Sequence, residues 1–390
     1  MRFIHTSDWH IGKNLEGHSR LEEQEKFCND FIKIVETNNI DMVIIAGDVY
    51  DTSNPPAGAE TLFYKTICKL ADNGNRCVLV IAGNHDNPER LSAITPLAKE
   101  QGIIILGYPL SSTTKLKYNG YEIVEAKEGY MKLDIKGEKV CVITLPYPSE
   151  KRLNDAIRGV ESEEELQKTY SSKIGDIFRK LEENFEEDSI NIAVSHLFVC
   201  GGDSSDSERQ IQLGGSLVVD KHDLPQKSQY TALGHLHSGS PLQYSVKENM
   251  YAKGANIVEI HAKENPVITP IYFNNYKPIE IFKCDGIEEA LKVCEENKDR
   301  DIWSYFEIKT EEVISQDNIK KMKSYLKDIV EIKPIITSEY EENNIDVKEK
   351  SMAQLFNDFY KFKEKCEPRG ELMDLFLNIV SEEGEDDETN

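Results

Sequence analysis

Through the first hundred residues, short apolar runs alternate with stretches whose apolar positions recur every three or four residues. RFIHTSD (2–8), DMVIIAGD (41–48) and RCVLVIAGNHD (76–86) are near-continuous apolar runs rich in β-branched residues. Between them lie an amphipathic stretch from Arg20 to Thr37 and a helical pattern from about Ala57 to Asn73. This order predicts βαβαβ, and strands that are apolar on both faces need a sheet covered on both sides. Further strands are predicted at KVCVITLPYP, INIAVSHLFV and YTALGHLH, with the charged segment from about Glu161 to Glu187 as a solvated helix between them.

After about Lys277 the pattern changes. IEIFKCDG, EEALKVCEENKD, IWSYFEIKT, NIKKMKSYLKD and IVEIKPIIT spell a second, smaller βαβαβ unit. The predicted organisation is a main domain over 1–276, a small domain over 277–340, an acidic linker over 341–350, a helical segment over 351–382 and a disordered acidic tail over 383–390. Pro368 and Gly370 split the helical segment in two. Leu355, Phe356, Phe359, Tyr360 and Phe362 crowd its first helix with more aromatic surface than a short hairpin covers by itself, so an outside partner is expected on that face. A chain of 390 residues is long enough for such a division.

The predicted strands end on ligand-type residues. Asp8, His10, Asp48, Asn84, His196, His235 and His237 form a mixed oxygen and nitrogen set without thiolates, which suits two hard-to-borderline divalent cations. Asp8 and His10 are two apart, as are His235 and His237, and in extended backbone that spacing points both side chains to one side. Asp48 closes the central apolar strand, where one carboxylate bridges cations about 3.5–4 Å apart. In an open α/β sheet these positions share the edge beyond the carboxyl ends of the strands, and two cations there imply phosphate-ester chemistry. His5, His222 and His261 have no motif around them and read as plain structural histidines.

Charge and cysteine usage narrow the setting. With 46 Lys+Arg against 70 Asp+Glu the net charge is −24, which argues against a free-standing nucleic-acid binder because phosphate backbones repel such a surface. Part of the excess lies in EENNIDVKE (341–349) and SEEGEDDETN (381–390), and bound cations would offset more of it inside the groove. The eight cysteines include no CxxC pair, and Cys28, Cys68 and Cys77 fall in apolar stretches. Reduced, buried thiols in a cytoplasmic compartment are the expectation. MRFIHTSD leaves no room for a signal peptide and no apolar run reaches membrane-spanning length, so no membrane partner is expected.

TSDWHIGKNLEGHSR, GDVYDTSNPP, GNHDNPERL and SHLFVCGGDSSDSER resemble the calcineurin-like metallophosphoesterases, and among them the nuclease subunits of bacterial double-strand-break repair complexes. The resemblance spans essentially the whole chain. It implies an α/β metallophosphoesterase sandwich with a second small βαβαβ capping domain and C-terminal helices. It also implies two Mn²⁺ ions, one on Asp8, His10, Asp48 and His237, the other on Asp48, Asn84, His196 and His235. The family's transition-state histidine falls on His85, which is adjacent to a ligand and suited to protonate a leaving 3′-oxygen. The implied activity is 3′–5′ double-strand exonuclease and single-strand or hairpin endonuclease action on DNA. The implied assembly is a homodimer within a heterotetramer containing a coiled-coil ATPase, at the nucleoid.

Several residues keep two readings at this level. Asp86 either orients His85 or is a plain turn residue. Lys13, Asn14, His18, Arg20 and Arg90 either meet a DNA backbone at the mouth of the groove or are solvated surface. GGDSSDSERQIQLGG either shapes the groove or is a surface connection. Asp51 stands where archaeal and eukaryotic relatives carry a histidine, so that residue's role does not transfer. The alternatives to a nuclease are a phosphoprotein phosphatase or small-molecule phosphodiesterase of the same superfamily, or an interaction subunit with a vestigial site. Thr52 follows GDVYD where phosphoprotein phosphatases have arginine, and every ligand position is filled; these two facts weigh against the alternatives.

Overall fold

A computed structural model describes residues 1–153, 163–199, 218–235, 240–244, 253–310 and 313–336, with scattered positions from 354 to 376. His237, the connection 201–215, the linker 341–350, the positions Leu355, Phe359 and Phe362, and the tail 383–390 lie outside the described residues.

From the N-terminus, β1 (Arg2–Thr6) leads through a hairpin of β2 (Asn14–Leu15) and β3 (His18–Ser19) into α1 (Leu21–Thr37), β4 (Met42–Ala46), α2 (Ala57–Ala71) and β5 (Cys77–Ile81). Two short helices, α3 (Pro88–Ser92) and α4 (Thr95–Glu100), precede β6 (Ile103–Leu106). Then come β7 (Leu116–Lys117), β8 (Tyr121–Lys127), β9 (Tyr130–Ile135), β10 (Glu138–Leu145), α5 (Glu150–Leu153), α6 (Glu163–Leu181), β11 (Ile190–His196) and β12 (Tyr230–Gly234). The chain returns to its beginning with β13 (Gly254–Glu259) and β14 (Val267–Tyr272).

These strands build two six-stranded sheets. The first has the order β14-β13-β1-β4-β5-β6, with β1, β4, β5 and β6 parallel and β13 antiparallel to β1. The second has the order β12-β11-β10-β9-β8-β7, with β10, β11 and β12 parallel and the rest antiparallel. Alternation along β4 shows why its run is apolar throughout. Met42, Ile44 and Ala46 enter the core between the sheets, beside Met131, Val142 and Ile192. Val43 and Ile45 face the other way, against Phe27, Phe31 and Phe63 of α1 and α2. The predicted double burial of these strands is therefore what the structure has.

Helix α6 corrects the expectation of a merely solvated helix. Tyr170, Ile174, Phe178 and Leu181 pack with Ile143, Leu145 and Ala193 on the outer face of the second sheet. Their spacing of three and four residues marks that face despite the surrounding charge. The antiparallel strands β7–β9 and β13–β14 were not among the predicted elements. Cys28 and Cys77 are buried thiols as expected, whereas Cys68 is exposed.

The small unit consists of β15 (Ile279–Cys284), α7 (Ile287–Glu296), β16 (Trp303–Thr310), α8 (Gln316–Tyr325) and β17 (Ile329–Ile336), in the sheet order β15-β16-β17. It has its own core around Ala290, Phe306, Ile308 and Met322. It belongs to one compact unit with the two large sheets, residues 1–308 and 314–334. Residues 309–313 and 335–390 form a second unit, in which the Phe356 ring stacks on Phe376 at 4.0 Å and lies 6.0 Å from Tyr360. No helix among the described residues is long and apolar enough to cross a membrane.

Trp9 anchors the N-terminal half. Its ring meets Phe27, Phe31 and Phe63 edge-on at 5.2, 5.4 and 6.2 Å, and its Nε1 donates to Thr6 Oγ1 at 3.0 Å. Trp9→Ala would leave a cavity behind the first ligand loop and is expected to cost about 3–5 kcal/mol, read from urea unfolding midpoints.

Candidate metal centre

Strands from both sheets deliver their carboxyl ends to one edge. Asp8 follows β1, Asp48 follows β4, Asn84 follows β5, His196 ends β11 and His235 follows β12. The turns carrying them are left-handed: φ is 56° at Asp8, 44° at His10, 50° at Asp48 and 102° at His235. Four non-glycine residues with positive φ at one edge are uncommon, and such backbone persists only where its surroundings over-determine it. Here the amide of Asp8 donates to Gly47 O at 2.9 Å and that of His10 to Asp48 O at 3.0 Å. Asp8 and His10 thus converge through curled backbone, not through the extended segment that their spacing suggested.

The functional atoms gather around one carboxylate. Asp48 Oδ2 lies 3.5 Å from His196 Nε2, 3.8 Å from His10 Nε2 and 4.0 Å from His85 Nε2. Asn84 Oδ1 lies 2.8 Å from His196 Nε2 and 3.0 Å from His235 Nδ1, and these two nitrogens are 3.3 Å apart. The Asp8 carboxylate accepts from the His235 amide at 3.1 Å through each oxygen, and from Ser7 Oγ. Among the described residues three groups of three result, each with its donor atoms within 4.8 Å of one another: His10–Asp51–His85, buried only at His10, and two fully buried ones, Asp8–His10–Asp48 and Asp48–His196–His235. Asp48 belongs to both.

Tautomers follow from the backbone. His196 Nδ1 lies 2.8 Å from Ala46 O, and a carbonyl can only accept, so Nδ1 carries the proton and Nε2 faces the cluster. By the same logic His85 Nδ1 donates to Asp51 O at 2.7 Å. What converges is then two carboxylates, an amide oxygen and imidazole nitrogens in a buried pocket, where a proton on His196 Nε2 and a bound cation would compete for the same lone pair. Such a set is short of positive charge, and this donor chemistry fits divalent cations.

The electrostatics agree. Burial alone would push the Asp48 carboxyl up, but the His196, His10 and His85 rings outweigh it and hold it well below the usual carboxylate range. His196 responds in the opposite sense: burial lowers it, yet the Asp48 charge beside it carries it up to about 9. Burial, with the Asp48 charge, pushes Asp86 up to about 6 despite three backbone donors.

Those three donors redefine Asp86. Its carboxylate accepts from Gly83 N at 2.8 Å, Tyr50 N at 3.0 Å and Val49 N at 3.1 Å. It ties the Asp48 loop to the Asn84 turn, and the contact that orients the His85 ring comes from Asp51 O instead. The expectation that Asp86 orients His85 is corrected accordingly. Asp51 also turns its carboxylate to His10 Nδ1 at 3.6 Å and Lys13 Nζ at 3.5 Å.

The basic residues expected at the groove mouth have other engagements. Arg20 is buried, held by Glu23 through Nε at 3.0 Å and through Nη2, and by the carbonyl of Gln243, so it is withdrawn from any DNA surface. His18 packs against Trp303 at 5.4 Å. Arg90 bonds Glu60 at 2.8 Å and Asn54 at 2.6 Å with 40% of its side chain still exposed. Lys13 lies 5.1 Å from the Tyr244 ring centroid, and Asn14 is exposed on β2. Sequence reasoning missed Arg152, whose guanidinium donates to Gly83 O at 2.8 Å and Asp86 O at 2.6 Å and so clamps both ends of the Asn84–His85 turn. A lone arginine after a strand carries no motif that could have announced this.

Comparison with known proteins finds two families along the chain. The family described as calcineurin-like phosphoesterase matches residues 1–239, and that described as type 5 capsule protein repressor C-terminal domain matches residues 275–364. The chain is 37% identical over 404 residues to the SbcD subunit of the nuclease SbcCD from Bacillus subtilis (strain 168), covering 99% of this chain and 100% of the relative. It is 26% identical over 378 residues to the corresponding SbcCD nuclease subunit of Staphylococcus epidermidis (strain ATCC 12228 / FDA PCI 1200), covering 93% of each. The solved structure of a novel archaeal phosphodiesterase aligns with 70% of this chain and 100% of its own at 12% identity and a TM-score of 0.29, too loose a likeness to bear on the fold.

Gly83 shows how tightly the centre is built. A Cβ there would lie 2.0 Å from Asp48 Oδ1 and 2.3 Å from Asp48 N. Gly83→Ala is therefore expected to weaken divalent-cation binding by about 10-fold or more while circular dichroism stays native, with metal content after loading as the check.

Proposed function

The chain belongs to the calcineurin-like phosphoesterase family, in the line of the SbcD nuclease subunits, and from that premise we propose that it cleaves DNA phosphodiester bonds with two Mn²⁺ ions. It acts as a 3′–5′ double-strand exonuclease and a single-strand and hairpin endonuclease, in the cytoplasm at the nucleoid, serving repair, recombination and replication. The observation that carries this reading is the shared carboxylate: Asp48 sits in both of the fully buried three-residue ligand groups. Asp8, His10, Asp48 and His237 would hold one ion, and Asp48, Asn84, His196 and His235 the other. When bound, the ions supply Lewis acidity at the phosphoryl oxygens and acidify water for attack at neutral pH.

The chain's own residues do the rest. His196 presents Nε2 because Ala46 O holds its other nitrogen, and the Asp8 carboxylate is fixed by the His235 amide. His85 keeps its Nδ1 proton on Asp51 O, which leaves Nε2 as the atom that hands a proton to the leaving oxygen; to do so the ring must be imidazolium. Arg152 and Asp86 keep the His85 turn in register with the Asp48 loop.

A second reading, a small-molecule phosphodiesterase, draws on the net charge of −24. Thr52 in place of the phosphatase arginine disfavours a phosphomonoesterase. An acidic nuclease resolves the charge by borrowing its grip on DNA from an SbcC-type coiled-coil ATPase, with the helices of 351–382 as the docking segment and a homodimer of nuclease subunits within a heterotetramer.

Purified protein with Mn²⁺ should degrade end-labelled duplex and open hairpins, faster with the ATPase present. Asp48→Asn should lose both metal and cleavage. His85→Gln should retain two Mn²⁺ while cleavage falls by about 10²–10⁴. Turnover of bis(p-nitrophenyl) phosphate without any cleavage of DNA, ATPase included, would favour the small-substrate reading. Deleting 351–382 is expected to abolish co-purification with the ATPase while the site still loads metal; retained binding would move the docking surface elsewhere.

A further inference from the structure

The first ligand loop is held from two sides. On one, the amides of Asp8, His10 and Ile11 donate to Gly47, Asp48 and Val49 carbonyls at 2.9, 3.0 and 2.9 Å. On the other, two buried side chains reach the loop's own backbone. Gln24 Nε2 donates to His10 O at 3.1 Å, its Oε1 accepts from Gly12 N at 2.9 Å, and the Tyr244 hydroxyl donates to Trp9 O at 2.7 Å. Gln24 Nε2 also lies 3.3 Å from the Tyr244 oxygen, which joins the two. With φ of 56° at Asp8 and 44° at His10, the loop keeps its shape only while both sides hold it.

Gln24 sits in the first turn of α1, and that turn is anchored in the small unit. Glu23 accepts from Arg20 Nε at 3.0 Å, from Arg20 Nη2, and from the indole Nε1 of Trp303 at 2.9 Å. Arg20 in turn donates to Gln243 O, next to Tyr244, and its guanidinium carbon lies 5.8 Å from the Tyr244 ring centroid. Trp303 on β16 is fixed on its other face by Lys277 Nζ, 4.0 Å from its ring centroid and paired with Asp301 at 3.1 Å and Asp328 at 2.6 Å. Leu15, from the hairpin after the ligand loop, packs with Ile279, Trp303 and Tyr305. Arg20, Glu23, Gln24, Tyr244 and Trp303 are all buried. A buried ion pair is a poor way to gain stability but a directional way to fix geometry, because a carboxylate meeting three N–H groups tolerates little displacement.

We propose that Glu23 is a positioning residue: it links Trp303 of the small unit to Arg20, Gln24 and Tyr244, and through them sets the backbone of Trp9 and His10, so that the seat of the small unit governs metal affinity on the Asp8–His10 side of the centre. This rests on the two-cation reading above. Signal passes through main-chain carbonyls, and none of the linking side chains supplies a metal ligand. The Asp48–His196–His235 side meets this link only at second hand, through the shared Asp48 and through the His235 amide that donates to Asp8 at 3.1 Å, so the effect there is smaller.

Calorimetric titration of the full-length chain with Mn²⁺ tests the link. Trp303→Phe and Glu23→Gln should each weaken one of the two Mn²⁺ by about 10-fold and the other by clearly less. Tyr244→Phe added to Trp303→Phe should cost less than the sum of the two single changes. Met322→Ala, in the small unit's own core, should lower its thermal stability without altering either affinity. Unchanged isotherms in folded Trp303→Phe and Glu23→Gln, or an equal loss in Met322→Ala, would overturn the proposal. Should Trp303→Phe not fold, the isosteric Glu23→Gln decides alone. Wild-type protein that binds fewer than two Mn²⁺ would sink the two-cation reading and this link with it. Wild-type protein that binds two yet cleaves nothing would refute the nuclease while leaving the isotherms decisive for the link.

Discussion

Everything at the active edge answers to the burial of one carboxylate. Asp48 is taken almost wholly out of water, where a lone charge is expensive, and three imidazoles from three separate segments offset that cost. His10 arrives from the first strand, His85 from the third, and His196 from the other sheet. The two sheets therefore do more than share a core: their parallel halves must point the same way for these rings to reach one oxygen. The left-handed turns, the glycines packed against Asp48 and His196, and the Asp86 and Arg152 braces are what such convergence demands of the backbone.

The parallel strands and the candidate ligands at their ends were legible because both signals are local. An apolar run ending in Gly-Asp, Gly-Asn or Gly-His announces a buried parallel strand with a ligand-type residue beyond it, and Asp48, Asn84 and His235, which the structure brings together at one edge, were singled out in this way. The apolar stripe of α6 was equally local, but the charge between its positions hid it. What could not be read depends on contacts far apart in sequence. Arg20 looks like a surface base until Trp303, 280 residues after Glu23, closes over the pair. Asp86 looks like a turn residue beside His85, and only the fold shows its oxygens bonded to the loop after β4. The positive φ at Asp8 and His10 has a faint local signal, since Asp, Asn and His enter that region more readily than other side chains.

The acidity of the chain and the architecture of its centre are compatible once the charges are located. The carboxylates of the centre are buried and shared among imidazoles, so they contribute little to the outer field. The basic residues nearest to it are turned inward or paired: Arg20 with Glu23, Arg152 with two carbonyls, Lys13 near Asp51. These three cations are thus spent on holding the chain's own loops in place.

The antiparallel partnership of β1 with β13 carries a consequence for biosynthesis. Arg2 pairs with Glu259 and His5 with Asn256, so the first strand made is not flanked on both sides until some 250 residues have followed it. The centre is gathered from a similarly wide span, from Asp8 to His235. A ribosome-bound or truncated chain therefore lacks half of its hydrolytic edge, and the capacity to cut arises only once the polypeptide has closed back on its own beginning.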